Sequence, residues 1–138
     1  MTAHDAVSEY LARRKMPPHV IGLGLAGLIA DWERVADEVA DGYELGLDDY
    51  RNDLDLRQIL HEVQRDVPEA WTDPLKKRLQ AADRHLRTHL VAQATCIWGE
   101  KAAAEHRWTA AENWWYFHRP RRPGAELARD LARAPAGH

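Results

Sequence analysis

The fold is decided most clearly by residues 18–41, which read PHVIGLGLAGLIADWERVADEVAD. Apolar side chains recur there every three or four positions, as they do along the buried face of an α-helix. This stripe comprises Leu25, Leu28, Ile29, Trp32, Val35, Ala36 and Val39. Gly42 follows as a natural C-cap. The stretch therefore predicts one helix from about Pro18 to Asp41.

Helical spacing extends to both sides of this stretch. Upstream, Thr2 is placed to cap a helix over residues 3–15. Downstream, a third helix is predicted over about 48–68. A fourth begins at Asp73-Pro74, an N-cap residue followed by proline at the first helical position. Its apolar rhythm runs on to Ile97, so the fourth helix is predicted to be the longest.

Shorter elements are predicted toward the C-terminus. Thr109 and Glu112 form a capping-box pattern in front of the aromatic residues 113–117. Prolines and a glycine make residues 119–124 a loop or extended stretch, and a last helix covers about 125–133. Strands are not expected, because runs of alternating or β-branched residues are not evident. The prediction is a single all-α domain over residues 1–138, a compact bundle of four main helices plus short accessory helices near the C-terminus.

Composition excludes several classes of protein. The 138 residues are 45% hydrophobic and 30% charged, which is typical of a globular chain and not of a disordered or collagen-like one. Cys96 has no second cysteine to pair with, so a reducing, cytoplasmic setting is expected. The longest apolar run, Val20–Ala30, is too short to cross a membrane.

Charge is distributed unevenly along the chain. The formal net charge is −3, yet residues 31–73 hold 14 acidic and 4 basic side chains. Residues 74–138 hold 6 acidic and 12 basic side chains. Either the two regions pack together and neutralise each other, or one of them faces an oppositely charged partner.

The segment Gly22–Gly27 matches the pattern G-x-G-x-x-G of dinucleotide-binding loops. That function needs a buried strand before the loop, and here only three residues separate it from Pro17-Pro18. The glycines are instead predicted to lie on a helix and to let a neighbouring helix approach closely.

An acidic group at the start of the third helix is the first candidate binding site. It consists of Asp48, Asp49, Asp53 and Asp55. An EF-hand is excluded, because the glycine and glutamate that its loop requires are missing. The acids either stabilise the start of a helix or form an acidic surface that binds a partner.

An aromatic and arginine-rich segment is the second candidate. Its proposed contact residues are Trp114, Trp115, Arg119, Arg121 and Arg122. Exposed aromatics beside arginines are typical of protein interfaces, and they also bind nucleic acid. Alternatively, the aromatics fill the end of the bundle while the arginines pair with the aspartates of the third helix.

Three histidines suggest a metal site. His85 and His89 lie one helical turn apart, and His61 on the third helix is a possible further ligand. The zinc-protease pattern H-E-x-x-H is absent, and neither Ser8 nor Cys96 lies in a nucleophile motif. No catalytic residue and no cofactor are predicted.

These observations favour a non-catalytic interaction module, such as an immunity-protein or antitoxin-like inhibitor. A small acidic domain suits binding to a basic protein, because opposite charges speed encounter. A metal-binding helical-bundle enzyme is the alternative, and a nucleic-acid-binding module is the second alternative. The sequence permits a monomer or a homodimer and predicts no membrane contact.

Overall fold

A computed structural model describes residues 2–133. Within them the protein is predominantly α-helical, with one small antiparallel sheet. The helices are α1 (Ala3–Arg13), α2 (Pro18–Asp41), α3 (Leu47–Asp66), α4 (Asp73–Arg87), α5 (Glu100–His106) and α6 (Ala125–Arg133). The strands are β1 (Leu90–Ala92) and β2 (His118–Pro120), and 3₁₀ turns cover Pro68–Ala70 and Trp114–Phe117. The predicted all-α bundle of four main helices with shorter elements near the C-terminus is confirmed.

The first two helices begin where the sequence predicts. Thr2 and Asp5 form a capping box at α1, in which the Asp5 amide donates to the Thr2 hydroxyl at 3.2 Å. α2 kinks at Gly24, whose φ is +67°. A Cβ atom at Gly24 would lie 2.8 Å from the His4 ring. The His4 side chain of α1 therefore lies directly against this glycine, but the prediction that Gly24 continues a regular helix was wrong, because its positive φ interrupts the helix.

The hydrophobic core is built around α2, which contacts α1, α3 and α4. Every member of its predicted apolar stripe is buried. Large aromatic side chains complete this core: besides Trp32 of α2, the fully buried ones are Tyr43, Tyr50, Trp115 and Tyr116 from later parts of the chain.

The fourth helix is shorter than its apolar rhythm predicts. α4 ends at Arg87, and the chain turns into β1, where Leu90 pairs with Pro120. Farther along, the Ile97 amide donates to the Tyr116 carbonyl at 2.7 Å. Leu90 and Ile97 are both buried, so the rhythm indicated burial correctly. The predictions of a continuous helix and of no strands were wrong, because backbone pairing to distant residues replaces helical hydrogen bonds here.

The C-terminal segment returns to the connection between α2 and α3. The Gly124 amide donates to the Tyr43 carbonyl at 2.6 Å, and Tyr43 forms a β-bridge with Pro123. α6 then packs against the start of α3, where the Leu47 amide donates to an Asp130 carboxylate oxygen at 3.0 Å. A Cβ atom at Gly46 would lie 2.7 Å from a carboxylate oxygen of Glu126. The absence of a side chain at Gly46 therefore leaves room for the carboxylates of α6.

Candidate functional site: a partner-binding surface

Two of the predicted aspartates, Asp53 and Asp55, lie on different sides of α3 and contact different residues. The Tyr43 hydroxyl donates to Asp53 at 2.6 Å. Asp55 accepts from the Tyr116 hydroxyl at 2.6 Å and from the Trp98 indole N–H at 3.0 Å. Both carboxylates are partly buried. The single acidic surface expected from the sequence is thus divided into two separate environments.

The other two, Asp48 and Asp49, lie in the first turn of α3 and are exposed. The Asp48 side chain is 96% exposed, with an oxygen 3.8 Å from the Arg51 guanidinium. Carboxylates at this position stabilise the helix through its free N–H groups and dipole. Their predicted position in the first turn of the helix is therefore confirmed, although the N-cap is Gly46, and both side chains are exposed.

Carboxylates from four parts of the chain surround Tyr43 and the start of α3. α2 and the connection after it supply three, α3 supplies three and α6 supplies two. We call this group the acidic patch, and its members are Glu38, Asp41, Glu44, Asp48, Asp49, Asp53, Glu126 and Asp130. Arg34 pairs with Glu38 at 2.8 Å and neutralises one of them.

Sequence reasoning missed Glu126 and Asp130, which lie in the basic C-terminal region of the chain. They reach the acidic patch because Gly46 has no side chain to hold α6 away. No local pattern signals this approach. The acids of the patch are also free to bind partners because most of them are exposed.

Like charges crowd the middle of the acidic patch. Burial raises the pKa of Asp53, and the nearby charges of Glu38 and Asp49 add to this effect. The hydrogen bond from Tyr43 opposes it, as does the charge of Arg34. Burial and the Asp53 carboxylate in turn raise the pKa of the Tyr43 hydroxyl. Ionisation of Asp53 therefore lowers the stability of the folded protein.

We expect Asp53→Asn to raise the melting temperature at neutral pH. The asparagine oxygen still accepts the Tyr43 hydroxyl, while the buried charge and its repulsion from Glu38 and Asp49 are removed. Because the folded-state pKa is raised, the cost of this charge is present above that pKa. It disappears as the pH falls below the ordinary value of 3.8.

Thermal melts of both proteins at neutral and acidic pH test this expectation. The gain in melting temperature should shrink as the pH falls. A variant that melts below the natural protein at neutral pH would show that the Asp53 charge stabilises the fold.

An exposed apolar side chain lies beside these acids. Leu45 is 49% exposed in the connection between α2 and α3. It lines a shallow pocket of about 350 Å³ together with Glu38, Asp41 and Glu44. An apolar centre with a charged rim is the usual composition of a protein interface.

The two tryptophans of the aromatic segment lie in the core. Trp114 is 9% exposed and Trp115 is 1% exposed. The Arg87 guanidinium lies 4.1 Å from the Trp114 ring centre, and that of Arg57 lies 4.4 Å from the Trp115 ring centre. The expectation that these two indoles contact a partner is corrected by their burial, and the alternative in which they fill the end of the bundle holds.

The arginines of the same segment lie on the surface. Arg119, Arg121 and Arg122 are exposed, and within residues 2–133 none of them forms an ion pair. Their expected pairing with the aspartates of α3 is therefore not observed. The backbone places this segment next to the acidic patch, since the Arg122 carbonyl lies 3.8 Å from where a Gly42 Cβ would be.

The acidic and basic regions of the chain do neutralise each other in part. Arg78 of α4 pairs with Glu33 of α2 at 2.5 Å. His85 of α4 lies 3.3 Å from Asp37 of α2. These contacts join α2 to α4.

The three histidines proposed as metal ligands occupy different surroundings. The rings of His85 and His89 are 5.4 Å apart. His61 instead contacts Glu112 at 3.2 Å and packs against Trp115. Within the described part of the chain, no group of three or more His, Cys, Asp or Glu side chains is arranged to hold a metal ion.

Comparison of this chain with protein-family models, curated proteins and solved structures found no match. Across residues 2–133, the helices lack the length or the apolar character that a membrane span requires. The surface chemistry described above is therefore the basis for assigning a function to this protein.

Proposed function

We propose that this protein is a non-catalytic binding module, similar in role to an immunity protein or antitoxin, that binds a basic protein through the acidic patch. One observation carries the proposal. Carboxylates from α2, α3 and α6 converge around Tyr43 and are only partly neutralised by Arg34 and Arg51. A surface of one sign speeds association with a partner of the opposite sign and disfavours other partners.

The energetic cost of the patch supports the same role. Asp53 is kept partly buried among like charges, which raises its pKa. Sites that give up stability are expected where function requires the strained arrangement. Leu45 adds an exposed apolar contact point beside these acids.

Charge reversal of the acidic patch by Asp41→Lys with Glu44→Lys is expected to slow association with the partner about tenfold or more. Asp41 ends α2 and Glu44 lies in the following connection, so both changes leave the core intact. Lysine at a helix C-terminus is favourable. The double variant should therefore fold normally.

The matched control is Glu9→Lys with Glu69→Lys, two exposed acids outside the patch that change the net charge by the same amount. All three proteins serve as baits in lysate of the source cells, and association rates are then measured with the recovered partner. We expect a basic protein that the patch variant loses and the control keeps. Equal recovery by both variants, or the absence of any stoichiometric basic protein, would refute the proposal.

A further inference from the structure

A second potential binding site lies on the opposite side of α3 from Tyr43. It is an open cleft of about 630 Å³, within the range of small-molecule sites. Its walls come from the turn after α1, one face of α3, α5 and the aromatic residues around them. The lining residues that determine its chemistry are Asp55, Glu62, Trp98, His106, Trp108 and Tyr116.

Most charges in this cleft are already paired. Glu62 forms an ion pair with Arg14 and accepts from the Gln58 amide at 3.0 Å. Arg65 forms two hydrogen bonds with Asp66, at 2.7 and 2.8 Å. These pairs leave neither the acid nor the arginines with a strong demand for a charged ligand.

Asp55 is the exception. Within residues 2–133 it takes part in no ion pair, and its two hydrogen-bond donors, Trp98 and Tyr116, are neutral. Both donate to the same oxygen, Oδ1, which fixes the carboxylate and leaves Oδ2 as the acceptor for a ligand. Burial raises the pKa of Asp55, and His106 of α5, which also lines the cleft, lowers it in part, but within residues 2–133 His106 forms no ion pair with this carboxylate. A partly buried carboxylate that no ion pair neutralises favours binding of a cation.

The surroundings of Asp55 also suit the apolar body of a ligand. Trp98, Trp108 and Tyr116 line the cleft beside it. The Trp108 ring is stacked between the rings of His106, at 4.5 Å, and Tyr116, at 4.2 Å, so a ligand can reach only its edge. Met16 and Ile59 extend it with aliphatic groups. A flat organic group therefore finds apolar contacts within reach of the charge.

We propose that this cleft binds a small organic cation, an ammonium or amidinium group carried on an aromatic body, with the charge at Asp55 Oδ2 and the body against Trp98 and the edge of Trp108. This site is separate from the acidic patch and does not depend on the function proposed for it. The ligand class follows from the single unpaired carboxylate and its aromatic walls.

Three probes of one shape test the proposal on the natural protein. Tryptamine carries an ammonium group, indole-3-ethanol is its neutral counterpart and indole-3-acetate carries a negative charge. Amide chemical-shift changes and calorimetric titration should show tryptamine binding at residues of the cleft. We expect its affinity to exceed that of the neutral probe by about tenfold to a hundredfold, and the anion not to bind.

The variant Asp55→Asn then tests whether the Asp55 carboxylate binds the ammonium group of tryptamine. The asparagine oxygen preserves both internal hydrogen bonds, so the variant should fold and bind tryptamine only as well as it binds the neutral probe. Asp49→Asn, an exposed acid in the other surface, is the matched control and should leave the affinity unchanged within about twofold. Equal affinity for all three probes, no binding of tryptamine at millimolar concentration, or full affinity in Asp55→Asn would each overturn the proposal.

Discussion

Replacement of Asp83 by leucine is expected to lower the free energy of unfolding by about 3–5 kcal/mol. Asp83 accepts two hydrogen bonds from the Arg57 guanidinium, at 3.1 and 3.0 Å, and one from the Trp32 indole N–H at 2.9 Å. Arg57 is 6% exposed and Trp32 is fully buried. Leucine would leave a buried positive charge and a buried N–H group without partners.

The double variant Asp83→Leu with Arg57→Met is the matched control. It removes both charges together, and a buried ion pair replaced by apolar groups of similar size is often tolerated. We expect it to recover most of the lost stability, apart from about 1–3 kcal/mol for the unpaired Trp32 N–H. Urea unfolding of the four proteins in this cycle measures the coupling. A loss below about 1 kcal/mol in the single variant would contradict the expectation, since that is the range of surface substitutions.

Trp115→Ala is expected to cost about 3–5 kcal/mol of unfolding free energy. The Trp115 side chain is 1% exposed and lies between His61 and the Arg57 guanidinium. Its removal opens a cavity and also removes the cation–π contact with Arg57. The measurement is again urea unfolding of the variant and the natural protein.

Trp108→Ala is the matched control for this experiment. Trp108 is only partly buried, and it stacks on His106 and Tyr116 at the rim of the cleft. The Trp108→Ala variant should lose clearly less unfolding free energy than the Trp115→Ala variant. A Trp115 variant as stable as the Trp108 variant would show that Trp115 is a surface contact residue, as the sequence had also suggested.

The helices could be predicted because their signals are local. The stripe of α2, the capping box at Thr2 and the proline at the start of α4 lie within single elements. The end of α4 could not be predicted, since it depends on pairing between Leu90 and Pro120 thirty positions apart. Apolar spacing reports which residues are buried and does not report what buries them.

Only the part of the acidic patch that depends on local sequence signals could be predicted. The adjacent acids Asp48 and Asp49 predict the start of a helix, and their exposure follows from that position. The contribution of Glu126 depends on a tertiary approach at Gly46, which no spacing in the sequence encodes. The binding role proposed for Asp55 likewise depends on Trp98 and Tyr116, which reach it from distant segments.

The contact between Asp130 and the Leu47 amide affects how the protein is made in the cell. The two residues are 83 positions apart. A ribosome therefore completes the first turn of α3 long before it adds Asp130, whose carboxylate accepts the free Leu47 N–H. Vectorial synthesis therefore delivers the carboxylates of α2 and α3 first and those of α6 last. The acidic patch of a nascent chain would be complete only after α6 has been made.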